Sequence, residues 1–398
     1  MTRLAATEAL DTFLRRTLAI DDAVLRDVGV DNGRIPLHTP LFRGNEKAYL
    51  AECVETTFVS SVGAFVTRFE EMMARQIGTR YAVACVNGTA ALHVALHALG
   101  VGRGQAVLCP ALTFVATANA ISYTGATPIF VDSDPTTLGV DVDRLATFLE
   151  TRCTRRDGAA WYGDLRVSVI VPVHVFGHPV DLDRLLPLCA EWNLEVVDDA
   201  TEALGSTLHD RPIGGFGRCG AFSFNGNKII TTGGGGMVTT DDPELGARLK
   251  HLTTTARLKR GVHFEHDEVG FNYRLPNLNA ALGCAQMEQL PGFLAAKRRL
   301  AAGYRDLFAG VEGVTFVDEP SGTRSNFWLA AVLFDDLATR DRFLDETAAL
   351  GFETRPCWTL MCDLAPYANA PRADDLCGAR SIWERLVNIP SSAWMMRD

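Results

Sequence analysis

Short apolar runs without polar alternation are the feature that most restricts the fold of this chain. Between about residues 81 and 240, such runs alternate with stretches that have a helical pattern. The clearest are Tyr81–Val86, Gln105–Cys109, Thr127–Val131, Val167–Val173 and Leu194–Val197. Strands with no polar face are typical of parallel sheets that helices cover on both sides. The pattern therefore predicts an α/β domain on a mainly parallel sheet.

Helical patterns separate these runs and dominate the chain beyond about Leu275. The predicted helices are Gly88–Leu99, Asp181–Leu188, Asn279–Gln289, Leu294–Phe308 and Thr339–Leu350, with an isolated strand at Phe327–Phe334. A chain of 398 residues exceeds one usual core of about 100–200 residues. We therefore predict an N-terminal helical segment at residues 1–40, a large α/β domain at 41–260 and a smaller α+β domain at 261–398.

Composition excludes several classes of protein. Hydrophobic residues make up 47% and charged residues 22% of the chain, which indicates a well-cored globular protein. The net charge of -10 argues against a nucleic-acid partner, because phosphate recognition needs clustered Lys and Arg. No apolar run reaches the 18 or so residues of a membrane span. Charged residues Asp11, Arg15 and Arg16 interrupt any secretory signal near the start.

The ten cysteines are scattered and form no C-x-x-C pair. This spacing is typical of buried thiols in a reducing compartment, and it makes a metal site unexpected. We therefore expect a cytoplasmic protein without a metal ion.

Lys228 lies in the most informative segment for chemistry, Ala221–Thr232, which four glycines follow at positions 233–236. Apolar and hydroxyl side chains surround this lysine in sequence, and the glycines leave room for a flat ligand. Burial lowers a lysine pKa and makes the neutral amine available as a nucleophile. Such an amine suits Schiff-base formation with pyridoxal phosphate, although a surface lysine after a strand would show a similar local pattern.

A carboxylate is also needed to keep the pyridine nitrogen of this cofactor protonated. Asp199 lies two residues beyond the apolar run Leu194–Val197, at the carboxyl end of the predicted strand, where ligands of α/β sheets bind. An aspartate at this position equally suits a helix N-cap. We predict that Asp199 pairs with the pyridinium and that Asp198 points to the other face of the sheet.

The cofactor phosphate needs N–H donors at the start of a helix. Asn87–Ala91 places Gly88, Thr89 and Ala90 at such a junction, and Ser223 can add a hydroxyl. Phe114 follows a strand and can stack on a flat ring, although such a phenylalanine is more often part of the core.

The combined pattern resembles the DegT/DnrJ-type pyridoxal phosphate-dependent sugar aminotransferases, from Ile35–Leu37 to Asn388–Ser392. The resemblance implies the aspartate aminotransferase-like (type I) fold. It also implies the following site residues: Lys228 as the Schiff-base lysine, Asp199 as the pyridinium partner, Thr89, Ala90 and Ser223 at the phosphate, Phe114 on the ring, and Glu202 where many members carry glutamine. Glu202 is thus expected to lie beside the cofactor, but the change from glutamine leaves its hydrogen-bonding role open.

The resemblance further implies a homodimer with shared active sites. In that family an asparagine of the neighbouring subunit reaches the phosphate. The matching stretch here is His266–Leu275, so Asn272 is the expected donor and Arg274 the second choice.

Several motifs are similar to those of enzymes that aminate carbon 4 of a UDP-linked 4-keto-6-deoxy-N-acetylhexosamine. They are Phe58–Gly63, Asn225–Lys228, Arg355–Leu360 and Asn388–Ser392. The implied reaction takes the amino group from glutamate and serves the biosynthesis of surface polysaccharide sugars. Arg355, Arg274 and Arg43 are candidates for the nucleotide diphosphate. For His174, a substrate contact and a purely structural role are equally open.

Other functions are compatible with parts of this pattern. GDP-perosamine synthases share many of the same motifs and are the main alternative. In related dehydratases a histidine replaces the lysine, and a non-catalytic homologue would be expected to lose Lys228 or Asp199. A dinucleotide-dependent dehydrogenase would need G-x-G-x-x-G after the first strand, and the segment after Val86 lacks it.

Overall fold

The computed structural model describes residues 3–30, 33–260 and 263–396. Its strands are β1 (Tyr81–Cys85), β2 (Gln105–Pro110), β3 (Thr127–Val131), β4 (Thr154–Arg156), β5 (Ala159–Tyr162), β6 (Leu165–Ile170), β7 (Glu195–Asp199), β8 (Thr207–Leu208), β9 (Arg211–Pro212), β10 (Cys219–Ser223), β11 (Gly236–Thr240), β12 (Arg257–Arg260), β13 (His263–His266), β14 (Val314–Phe316), β15 (Thr323–Arg324), β16 (Ala330–Phe334), β17 (Arg355–Pro356) and β18 (Leu386–Ile389). Its α-helices are α1 (Ala5–Thr12), α2 (Asp22–Asp27), α3 (Glu46–Glu55), α4 (Ala64–Ile77), α5 (Gly88–Ala98), α6 (Ala116–Tyr123), α7 (Val142–Arg152), α8 (Leu182–Glu191), α9 (Pro243–Thr253), α10 (Asn277–Phe308), α11 (Leu337–Ala349) and α12 (Cys377–Arg385).

The central sheet has the order β1-β11-β10-β7-β6-β2-β3, and β5 adds a further antiparallel strand to β6. The pairs β10–β7, β7–β6, β6–β2 and β2–β3 are parallel, whereas β11 pairs antiparallel with both β10 and β1. Apolar cores lie on both faces of the sheet. The prediction of a mainly parallel α/β sheet is confirmed, with β1 as an antiparallel edge strand.

The C-terminal part of the chain forms a separate antiparallel sheet with the order β14-β16-β18-β17. Helices α11 and α12 contact this sheet, so the predicted α+β character of this part agrees with the structure. Leu10 of α1, Leu14 of the π-helical turn that follows it (Phe13–Thr17) and Leu25 of α2 belong to the core beneath this sheet. Only the first part of the predicted N-terminal helical segment is helix, because Ile35 precedes a proline and pairs with Phe352 as extended chain.

Helix α10 corrects the prediction of two helices at Asn279–Gln289 and Leu294–Phe308. It runs unbroken through Pro291, a residue that usually interrupts a helix because it removes one backbone hydrogen bond. Its first half packs in the core under the large sheet through residues such as Cys284, and its second half packs in the C-terminal core through residues such as Tyr304. Burial on both sides therefore outweighs the local cost of the proline.

None of the helices in the described ranges is both long and apolar enough to span a membrane. All ten cysteines are free thiols, and nine are buried, as predicted. Cys377 differs because it is exposed at the start of α12.

Lys297, on α10, is 2% exposed and donates hydrogen bonds to the carbonyls of Trp328 (3.1 Å) and Ser391. Burial lowers its pKa from 10.5 to about 7. At pH values between these two pKa values, the unfolded chain holds a proton that the folded chain has released. The free energy of unfolding therefore rises with pH in this range. We expect wild type to gain up to about 1.4 kcal/mol per pH unit over Lys297→Met above neutral pH, measured by denaturant unfolding of both proteins. A difference that is constant across this range would contradict the prediction.

Candidate active site

A cavity of about 290 Å³ opens at the carboxyl end of the parallel strands. The end of β7, the starts of α5 and α6, the loop after β10 and the segment before β16 together form its wall. The lining residues are Asn87, Gly88, Thr89, Thr113, Phe114, Ala116, Thr117, Val173, Asp199, Thr201, Glu202, Ser223, Asn225, Asn227, Lys228, Trp328 and Trp358. The edge of the sheet where α/β proteins bind ligands is therefore concave and polar here.

Lys228 projects into this cavity with a side chain that is only 12% exposed. Its Nζ atom lies 3.4 Å from Oε1 of Glu202 and 3.7 Å from the centroid of the Trp328 ring. Burial lowers the pKa of Lys228, while Glu202 and Asp199 partly oppose that shift. Burial therefore favours the neutral amine that a nucleophilic lysine requires, whereas the neighbouring carboxylates favour its ammonium form.

Glu202 is 4% exposed, and its Oε2 atom accepts a hydrogen bond from the backbone N–H of Phe176 at 2.8 Å. Burial raises the pKa of Glu202, and the neighbouring Lys228 acts in the opposite direction. Burial thus favours the neutral form of each group, whereas their mutual attraction favours the charged pair.

Asp199 is buried at the end of β7, and neighbouring hydroxyls fix its orientation. Its Oδ2 atom accepts from Oγ1 of Thr117 at 2.7 Å, and Oδ1 accepts from Oγ1 of Thr201 at 2.6 Å. The backbone N–H of Thr201 also donates to Oδ1, at 3.3 Å, so Asp199 orders the following turn as well. Asp198 points away, as predicted, and accepts from the backbone N–H of Gly217 at 3.0 Å.

The start of α5 forms a second wall of the cavity. The first N–H groups of a helix lack partners within the helix, and Gly88 and Thr89 present this end to the cavity. A Cβ atom on residue 88 would come within 2.8 Å of the Cβ of Ser223, so only glycine allows this close approach. Ala90 differs from the expectation because its N–H donates to the side chain of Asn87 at 2.8 Å and it does not line the cavity.

Aromatic side chains border the mouth of the cavity. The Phe114 side chain is 53% exposed, so it lies outside the core with a face available to a ligand. Its ring meets that of Trp358 edge to face, with centroids 6.2 Å apart. The arrangement is consistent with stacking on a flat heterocycle.

Besides Ala90, five predicted residues do not line this cavity in the single chain. His174 is fully buried and accepts a hydrogen bond from the N–H of Val180 at 3.2 Å, which places its ring in the interior. Arg274 is buried in an ion pair with Glu70 (3.0 Å). Arg355 and Asn272 are exposed at the surface. Arg43, the further diphosphate candidate, forms an exposed ion pair with Asp27 at 3.0 Å.

Sequence reasoning did not assign a role to Thr117, Trp328 or Trp358. Thr117 lies three residues beyond Phe114, and a hydroxyl in the first turn of a helix beside the cofactor strand was a usable signal. The two tryptophans come from the C-terminal part of the chain, 100 and 130 residues beyond Lys228. No local pattern indicated that they reach this cavity.

The donor set of the cavity fits pyridoxal phosphate. An amine and a hydroxyl-oriented carboxylate line the same space, so a planar ring can lie between them. A helix N-terminus, a glycine with no room for a side chain and the Ser223 hydroxyl are available to the phosphate. Lys228, Asp199, Gly88 and Phe114 are the residues that would hold the cofactor.

Comparison with known proteins agrees with this geometry. Residues 41–398 match the model of the DegT/DnrJ/EryC1/StrS aminotransferase family. GDP-perosamine synthase of Caulobacter vibrioides is 39% identical, covering 91% of this chain and 94% of that protein. GDP-perosamine synthase of Escherichia coli O157:H7 is 38% identical, covering 90% and 93%. The crystal structure of the aminotransferase TlmJ from Streptoalloteichus hindustanus superimposes with a TM-score of 0.82 at 28% identity, covering 90% of this chain and 94% of that one. The chain therefore belongs to the DegT/DnrJ/EryC1/StrS aminotransferase family, whose cofactor is pyridoxal phosphate.

Proposed function

We propose that this sugar aminotransferase moves the amino group of glutamate to carbon 4 of a GDP-linked 4-keto-6-deoxy sugar. The similarity to two GDP-perosamine synthases over nine-tenths of the chain supports this substrate over the UDP-linked N-acetylhexosamine that the motifs suggested. The amino sugar would then serve surface polysaccharide biosynthesis. The ten free cysteines support a reducing compartment such as the cytoplasm.

The chain's residues divide the chemistry between them. Pyridoxal phosphate supplies an electron-accepting ring that carries the amino group between the two substrates. The Nζ atom of Lys228 accepts the proton from the α-carbon of glutamate and later delivers one to carbon 4 of the sugar. Asp199, held by Thr117 and Thr201, would pair with the ring nitrogen of the bound cofactor. Glu202 lies within reach of Lys228 and limits the positions that its amine occupies.

An assay with paired substrates tests the proposal. The purified protein, supplied with pyridoxal phosphate and glutamate, is incubated with GDP-linked or UDP-linked 4-keto-6-deoxy sugars. We expect equal amounts of 2-oxoglutarate and a GDP-linked amino sugar, identified by mass spectrometry. Lys228→Ala protein controls for uncatalysed exchange. Turnover of the UDP sugar alone would refute the GDP assignment while leaving the aminotransferase intact.

We also propose that two copies of the chain share their active sites through Asn272. Its exposure at the surface of one chain leaves the amide free to reach a partner. Coexpression of Lys228→Ala with Asn272→Ala chains provides the test, because a hybrid dimer contains one site with neither substitution. We expect activity to recover to about a quarter of wild type, since half of the randomly formed dimers are hybrids with one intact site. No recovery would show that Asn272 acts within its own subunit, and full activity of Asn272→Ala alone would show that it has no role.

A further inference from the structure

The amine of Lys228 has an aromatic neighbour whose role the family assignment does not explain. The Nζ atom lies 3.7 Å from the centroid of the Trp328 ring, well inside the range of a cation–π contact. Trp328 is 4% exposed, so this contact is shielded from water. The amine therefore lies between an aromatic face and the Glu202 carboxylate at 3.4 Å.

Three hydrogen bonds hold Trp328 in this position. Its indole Nε1 donates to the carbonyl of Asn227, the residue before Lys228, at 2.6 Å. Its backbone N–H donates to Oδ1 of Asn326 at 2.7 Å, and its carbonyl accepts from Lys297 at 3.1 Å. The ring and the backbone are thus fixed independently, and the indole is tied directly to the lysine loop.

The backbone before Trp328 is held in an unfavourable conformation. Phe327 has a φ of 46°, which is uncommon for a bulky residue and costs conformational free energy. The preceding Asn326 donates to the carbonyls of Glu202 (2.8 Å) and Leu204 (2.9 Å), which anchors the segment to the large domain. Conformations of this kind persist where surrounding contacts impose them, and they cluster at functional sites.

We infer that Trp328 is a positioning residue for Lys228 and holds its ammonium form whenever the lysine is not bonded to the cofactor. This rests on the proposed role of Lys228. A buried ammonium needs a substitute for the water it has lost, and the indole face supplies one in addition to the contact with the Glu202 carboxylate. The released lysine thereby keeps both a proton and a fixed place from which to deliver it.

Trace acetylation of the five lysines tests this inference. The holoenzyme in its pyridoxamine phosphate form, where the Lys228 amine is free, is labelled with acetic anhydride across a pH series. Peptide mass spectrometry reports the labelling of Lys228 relative to exposed Lys47. Dividing each value by its plateau at high pH removes differences in access, so the profile reports the neutral fraction of the amine alone. Wild type is compared with Trp328→Leu, Trp328→Phe and Trp358→Leu.

Removal of the ring should leave the ammonium less stable. At neutral pH we expect the normalised labelling of Lys228 to rise roughly five- to tenfold in Trp328→Leu and about two- to threefold in Trp328→Phe, which keeps a weaker aromatic face. Trp358→Leu removes a tryptophan that lines the same cavity but leaves the Trp328 ring against Lys228. It should change the normalised labelling of Lys228 by less than about twofold. If Trp328→Leu lacks a cooperative melting transition, the comparison of Trp328→Phe with wild type decides.

Two results would overturn the inference. One is an unchanged pH profile of Lys228 in the Trp328 variants. The other is an equal change in Trp358→Leu, which would indicate a general change in hydration of the cavity. Labelling of the pyridoxal phosphate form separates this question from the proposed function, because Lys228 is protected there only if it is the lysine that bonds the cofactor.

Discussion

Replacement of Lys228 with alanine is expected to lower turnover by at least about a thousandfold, because the residue provides both the cofactor attachment and the moving proton. The purified variant should lack the yellow absorbance that borohydride removes from wild type. Peptide mass spectrometry after borohydride treatment should locate the cofactor on residue 228 in wild type. Lys228 lies 3.4 Å from Glu202, and the residues that line the cavity in the described part of the chain include no other lysine.

Lys228→Arg is the matched control for charge. Arginine keeps a cation in the cavity but does not deprotonate at accessible pH, so it should be as inactive as alanine. Partial recovery of Lys228→Ala by added methylamine would support the role in proton transfer. A borohydride-sensitive absorbance that survives in Lys228→Ala would contradict the assignment and direct attention to another lysine.

Asp199→Asn is expected to lower kcat by about a hundred- to ten-thousandfold while the protein remains folded. The neutral amide keeps the size of the side chain and removes the negative charge that the protonated ring nitrogen requires. Because both oxygens of Asp199 already accept from hydroxyls, the amide also conflicts with one of these hydrogen bonds. Steady-state kinetics at saturating glutamate and sugar measure this effect.

The adjacent Asp198 offers a matched comparison. It is equally buried, but its carboxylate faces the other side of the sheet and accepts from the N–H groups of Phe216 (3.3 Å) and Gly217 (3.0 Å). Asp198→Asn should therefore lower Tm and leave the kcat of the folded enzyme close to wild type. Equal losses of kcat in the two variants would show that charge beside the ring is not the reason for the effect.

The parts of the site that are local in sequence could be predicted. Lys228, Asp199 and the Gly88–Thr89 helix start each follow a strand of the central sheet, and strand ends of a parallel sheet converge at one edge. The apolar runs predicted the bounds of β2, β3 and β7 to within one or two residues, because a strand covered on both faces has no polar positions. Periodicity and turn chemistry therefore predicted most of the elements around the central sheet.

Contacts between distant segments could not be predicted in this way. Trp328 reaches Lys228 only because Asn326 anchors its segment to the large domain, and no feature of residues 325–328 alone indicates that. Ala90 is a different case, because its N–H is taken by Asn87, only three residues earlier, through an N-cap that competes with a phosphate contact. The prediction of two separate helices around Pro291 was wrong because burial of both halves of α10 stabilises one continuous helix.

The continuity of α10 also bears on how the molecule loses its structure. One end of this helix completes the core under the large sheet, and the other completes the core that holds α1 and the C-terminal sheet. Neither core retains its packing if the helix melts, so thermal denaturation of the two parts is coupled into a single cooperative event. A fragment ending before Asn277 would expose the apolar surface that Cys284 and its neighbours cover, and aggregation rather than autonomous folding is its physical outcome.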